Sequence, residues 1–201
     1  MMIPLDRLMG ACKDQLDIVL KEWPDGIPLT EEAAERALEL KLDIDWAADN
    51  LLISEGGKRD EYDSASESYM DNYYSIIGPE REKFAEVQAL AWEKYKSIVD
   101  PAYASYKDMV NAEYKYSPKE RNMAEDHYRI VRENAWAESE HTLSMQRKHY
   151  YDVLETAHAE LQRAKVKKLL KLLVEQETDR CKSQEEKSDD HSIERIEGSM
   201  P

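Results

Sequence analysis

Leu5, Leu8, Met9, Cys12, Leu16, Val19, Leu20 and Trp23 recur at spacings of three and four. That repeat gathers apolar side chains along one face of a helix. It predicts a helix from about Pro4 to Trp23, ended by Pro24, Asp25 and Gly26. Thr30 stands where it can cap a second helix, with Glu31 and Glu32 in the first turn, where the helix dipole favours negative charge. Ala33, Ala34, Ala37, Leu38 and Leu40 form its apolar side. Asp43 or Asp45 can start a third helix through Trp46, Ala47, Leu51 and Leu52. Residues 1–55 therefore read as a small N-terminal helical module.

The pattern weakens after Gly56-Gly57, so residues 56–78 read as a polar connector with a weak helix. Tyr62, Tyr69, Tyr73, Ile76 and Ile77 keep a partial stripe there. Gly78-Pro79 reads as a break, with Pro79 at a first helical position. Phe84, Val87, Leu90, Ala91, Tyr95 and Ile98 make the next stripe. Asp100-Pro101 then reads as the end of one helix and the start of another, which continues through Tyr103, Tyr106, Val110 and Tyr114. Ser117-Pro118-Lys119-Glu120 is a capping box, in which the serine and glutamate satisfy each other's backbone amides.

After Glu120 no Gly or Pro occurs until Gly198. Leu143, Tyr150, Leu154, Ala157, Leu161 and Ala164 are separated by seven, four, three, four and three residues. This near-heptad seam drifts into Val166, Leu169, Leu170 and Leu173. A helix from Pro118 to about Thr178 would be about 90 Å long. Such a helix must project, pack on the preceding helices, or pair with another chain. Residues 79–180 thus form a long-helix bundle or coiled-coil region, and 181–201 read as a disordered acidic tail. The expected fold is all-α. Its long helices form an antiparallel hairpin, bundle or coiled coil behind the small module.

Composition narrows the function classes. The 201 residues carry 28 Lys and Arg against 43 Asp and Glu, a formal charge of −15. Such a charge disfavours direct nucleic-acid binding and anionic membranes, and favours a basic partner. No apolar run reaches membrane-span length, and Pro4, Asp6 and Arg7 interrupt any signal-peptide core. The expected location is cytoplasmic, or virion-internal for a phage protein. Cys12 and Cys181 read as reduced thiols.

Candidate chemistry is sparse. Glu138-x-x-His141 and Glu155-x-x-His158 match the local motif of carboxylate-bridged di-metal bundles. They stand 17 residues apart on one helix, about 25 Å along its axis, and cannot share a metal pair within one subunit. Exposed Glu and His on a charged helix is the simpler reading. His127, His141, His149 and His158 have no persuasive Ser or Cys nucleophile, and there is no Gly-rich phosphate loop. The expectation is no enzyme and no cofactor. Arg163, Lys165, Lys167, Lys168 and Lys171 form a basic cluster that acidic neighbours can neutralise. Tyr103, Tyr106, Tyr114, Tyr116, Tyr128, Tyr150 and Tyr151 serve either helix packing or recognition.

The stretch Gly26 to Leu52 contains Ala37-Leu38, then Asp43-Ile44-x-x-Ala47-x-x-x-Leu51-Leu52. It resembles the second and third helices of a ubiquitin-associated domain over about an eighth of the chain. The Met-Gly-aromatic loop of that family is missing, with Asp25-Gly26-Ile27 standing nearest. The resemblance implies short packed helices and no more.

Three readings follow. The first is a structural or assembly protein that pairs with itself or another helical protein through the seam Leu143, Tyr150, Leu154, Ala157, Leu161, Ala164, Leu169 and Leu173. A phage or mobile-element accessory protein would suit it. The second is an acidic nucleic-acid mimic or inhibitor that occupies a basic protein surface. The third is a di-metal helical enzyme.

Overall fold

The computed structural model describes the backbone of residues 1–53, 57–112 and 115–197, with side chains as far as Ser183. The fold is all-α but for one pair of two-residue strands. In chain order the elements are β1 (Met2–Ile3), a 3₁₀ turn (Leu5–Leu8), α1 (Lys13–Glu22), β2 (Ile27–Pro28), α2 (Glu31–Glu39), α3 (Ile44–Leu51), α4 (Lys58–Asn111) and α5 (Pro118–Glu197). The chain forms two compact units. One comprises Met1–Tyr73 with His158–Pro201, and the other Tyr74–Ala157.

In the first unit the expected helix from Pro4 is shorter and starts later. Residues 2–3 pair antiparallel with 27–28, Met2 opposite Pro28 and Ile3 opposite Ile27. The turn into β2 needs Gly26, whose φ is 115° and whose added Cβ would lie 2.6 Å from the Ile3 carbonyl oxygen. Only glycine adopts that backbone so close to a neighbour. The caps of α2 and α3 stand where the sequence puts them. Thr30 accepts from the Ala33 amide at 3.2 Å, and Asp43 rather than Asp45 accepts from the Trp46 amide at 2.9 Å.

The core of this unit joins distant parts of the chain. Ile44, Ala48 and Leu51 of α3 are buried together with Val166, Leu169 and Leu172 of α5. Gln176, also buried, donates to the Leu51 carbonyl at 3.0 Å and accepts from the Ile53 amide at 2.8 Å. It thereby satisfies backbone groups left over at the end of α3. Arg7 reaches Glu177 at 2.8 Å and also donates to the Leu51 carbonyl.

The connector expected at 56–78 is instead part of α4 from Lys58 onward, and residues 54–56 lie outside the described residues. Tertiary contacts hold this polar stretch helical. Tyr62 is buried and its hydroxyl donates to Asp45 at 3.1 Å. Lys58 pairs with Asp179 at 3.1 Å, Arg59 with Asp49 and Asp63, and Glu61 with Lys168.

The second unit is an antiparallel hairpin of residues 74–111 of α4 and 118–157 of α5. Phe84 stacks on Tyr150 at 5.4 Å, Lys94 meets Glu138 at 2.6 Å, and Tyr106 stacks on Tyr128 at 5.6 Å. Partners thus run down α5 as they run up α4. Ala91 and Ala135 are buried, and such small residues let two helix backbones approach.

Neither Gly78-Pro79 nor Asp100-Pro101 ends a helix, for both prolines lie inside α4. Each removes one backbone donor. Ile77 and Val99, two residues before each proline, are buried, so packing holds the helix where its own ladder is interrupted. The capping box at the start of α5 forms as expected. Ser117 donates its amide to Glu120 at 2.7 Å, and the Glu120 amide donates to the Ser117 hydroxyl at 3.3 Å. The expected acidic tail, 181–201, coincides with the end of α5 as far as Glu197. Its side chains from 184 on and all of residues 198–201 lie outside the described residues.

Candidate functional site

The seam is met from within the chain. In the second unit Tyr150 stacks on Phe84 and Ala157 is buried, while Leu143 and Leu154 are half-buried. In the first unit Leu161, Leu169 and Leu173 are buried and Ala164 half-buried. Of the three fates open to an overlong helix, folding back on its own chain is the one observed.

The candidate metal residues are dispersed. Glu138 is engaged by Lys94, and His141, Glu155 and His158 are exposed. Among the described residues no group of three or more His, Cys, Asp or Glu could hold one metal ion. His149 faces Glu80 at 3.2 Å. The basic cluster is largely neutralised inside the first unit. Lys165 is buried on Asp45, Lys168 pairs with Glu61, and Lys171 lies 3.9 Å from Glu175. Arg163 and Lys167 remain exposed. Cys12 and Cys181 are exposed and unbridged.

What the fold leaves open is an aromatic face on the hairpin. Trp92, Tyr95, Tyr103 and Tyr106 lie at helical spacing on α4, around the buried Val99. Trp92 stacks on Tyr95 at 5.3 Å, and Tyr95 meets the edge of Trp136 at 6.1 Å. Tyr103 and Tyr106 both contact Tyr128, at 5.5 Å and 5.6 Å. Two of these rings stay largely in water, Trp92 at 53% and Trp136 at 56% exposure. Lys96 and Arg132 lie over the Trp92 and Tyr128 rings, adding cation–π attraction at the rim.

Sequence periodicity missed this face for a physical reason. Trp92 and Trp136 each follow a buried alanine by one residue, and so sit beside the stripe that marks the helix–helix contact. A stripe wider than one helix contact requires was the available signal.

Two cavities lie among the described residues. One, of about 330 Å³, lies at the end of the hairpin between Tyr106, Met109, Tyr116, Glu120, Met123 and His127. Its Glu120 carboxyl is held below the usual carboxylate range by the Ser117 amide and then by the Ser117 hydroxyl. The other, of about 80 Å³, lies in the first unit between α2, α3 and α5, with almost wholly apolar walls. Among the described residues no helix is long and apolar enough to cross a membrane. Comparison of the chain with known protein families, curated proteins and solved structures gives no match.

Proposed function

We propose that the protein is a non-enzymatic assembly protein that associates with itself through the aromatic face of its α4–α5 hairpin. The observation that carries this reading is the ring cluster of Trp92, Tyr95 and Trp136, in which the half-buried Tyr95 joins two tryptophans that stay largely exposed. The seam from Leu143 to Leu173, the obvious assembly surface in the sequence, is buried or half-buried against the chain itself, and the aromatic face is the more exposed surface. The assembly reading therefore moves to a different face.

Area and charge both support the move. An aromatic side chain buries 150–250 Å², so six part-exposed rings offer on the order of 500 Å² per copy. Two copies face to face would bury about 1,000 Å², the lower bound for a specific interface. Residues 74–157 hold 12 Lys and Arg against 15 Asp and Glu, only −3 of the chain's −15. Like-charge repulsion between copies is therefore weakest on this hairpin.

Light scattering after size exclusion tests the reading. The expected result is a dimer or larger species at low and high salt. Trp92→Ser with Trp136→Ser should give a monomer with unchanged helicity, whereas Leu161→Asp should unfold the chain rather than separate copies. A wild-type monomer at 100 μM under both salts would end the proposal.

A further inference from the structure

The cavity at the end of the hairpin has walls suited to one kind of ligand. They include two tyrosine rings, Tyr106 and Tyr116, and two thioether side chains, Met109 and Met123, with Glu120 and His127 beside them. At about 330 Å³ the cavity stands at the lower end of the roughly 300–1,000 Å³ range of small-molecule pockets. Such pockets combine apolar walls with a few polar groups that fix the ligand.

The wall carries negative charge. Glu120 accepts from the Ser117 amide at 2.7 Å and from the Ser117 hydroxyl at 2.8 Å, both on Oε2. Both donors are neutral, so they hold the carboxylate in place without cancelling its charge, and they favour its ionised form. Among the described residues no lysine or arginine lines the cavity. An anionic ligand would face this carboxylate with neither to offset it.

The rings at this end of the hairpin already draw cations. Lys115, which does not line the cavity, lies over the Tyr116 ring at 5.5 Å. Arg132 lies over the Tyr128 ring at 5.7 Å, and that ring stacks on Tyr106. An aromatic face attracts positive charge, and thioether sulfur makes a soft, polarizable neighbour. A compact primary ammonium is strongly hydrated and resists apolar walls. A methylated ammonium keeps the charge and presents apolar methyl groups instead.

We infer that this cavity binds a methylated ammonium group, with the rings of Tyr106 and Tyr116 against its methyls and the Glu120 carboxylate against its charge. The inference does not depend on self-association, because Tyr116 and Glu120 take no part in the aromatic face.

NMR titration of the full chain, labelled at its methionine methyls, tests it with choline as the probe at pH 8, where an ordinary imidazole is neutral. Choline should shift the Met109 and Met123 signals and leave those of Met1, Met2 and Met9, in the first unit, in place. The compound 3,3-dimethylbutanol has a carbon where choline has its nitrogen, and so the same shape without the charge. It should bind at least tenfold more weakly. Glu120→Gln keeps an acceptor for the Ser117 amide, because glutamine also serves a capping box. It should weaken choline binding at least fivefold while the chain keeps its helicity, and Tyr116→Leu should do the same. A short peptide carrying trimethyllysine identifies the source of the group. Tighter binding than choline assigns it to a protein side chain, and weaker binding to a free small molecule. No shift of Met109 or Met123 at about 20 mM choline would overturn the inference. So would equal binding of choline and its neutral analogue, or undiminished binding by both folded variants.

Discussion

The ammonium group of Lys165 lies 2.9 Å and 3.0 Å from the two carboxylate oxygens of Asp45, 120 residues earlier in the chain. The two ends of this pair differ in their surroundings. The lysine side chain is 9% exposed and the aspartate 58%. Burying an ammonium costs free energy unless a carboxylate faces it, and removing the partner leaves that cost uncompensated. Asp45→Ala should therefore destabilise by about 2 kcal/mol, below the range for fully enclosed pairs because Asp45 itself keeps water. Lys165→Met removes the buried charge along with its partner's need and should cost under about 1 kcal/mol. Urea unfolding of the two variants checks the asymmetry, and equal losses would refute it.

Tyr62 touches the same carboxylate and makes stability sensitive to alkali. Burial raises its phenol above the ordinary value of 10, and the Asp45 charge raises it further. Below pH 10 the hydroxyl is protonated whether the chain is folded or not, so its contribution is complete. Above pH 10 the unfolded chain releases this proton before the folded chain does, and stability falls as pH rises. Tyr62→Phe lacks that component. The stability advantage of the wild type over Tyr62→Phe should shrink as pH rises from 10 towards 12, and a constant difference would count against the assignment.

Gly78 sits inside α4, and a Cβ built on it meets no atom within 4 Å. A glycine in a helix interior costs backbone entropy without return. Gly78→Ala should therefore stabilise by about 1 kcal/mol. Thermal unfolding would show a rise of a few degrees, and a fall would mean that the glycine serves the neighbouring Pro79.

These positions show what the sequence makes legible. Local devices are readable because their partners lie within a turn: Thr30 for α2, Asp43 for α3, and Ser117 with Glu120 for α5. Pro79 and Pro101 are misread as boundaries because the burial of Ile77 and Val99, which offsets the lost donors, is a property of the folded chain that local spacing does not report. Tyr62 and its ion-paired neighbours look like a polar connector for the same reason. Periodicity reports that a face is covered but not what covers it. Leu161 and Leu169 therefore read equally well as a dimer seam or an internal one. The aromatic face and the cavity at the end of the hairpin are harder still. Each is defined by what the fold leaves uncovered, which becomes visible only when every other contact has been placed.

The first unit is assembled from both ends of the chain, and this has a consequence for synthesis. Leu51 and Leu52 leave the ribosome roughly 115–120 residues before Val166, Leu169 and Leu172, the side chains that close over them. At about 5–20 residues per second, that interval is on the order of 5–20 s. During this time the nascent N-terminal segment presents an open apolar surface to the cell, while the hairpin of residues 74–157 can already close on itself. Leu51 and Leu52, made earlier than the hairpin, are thus covered later than it.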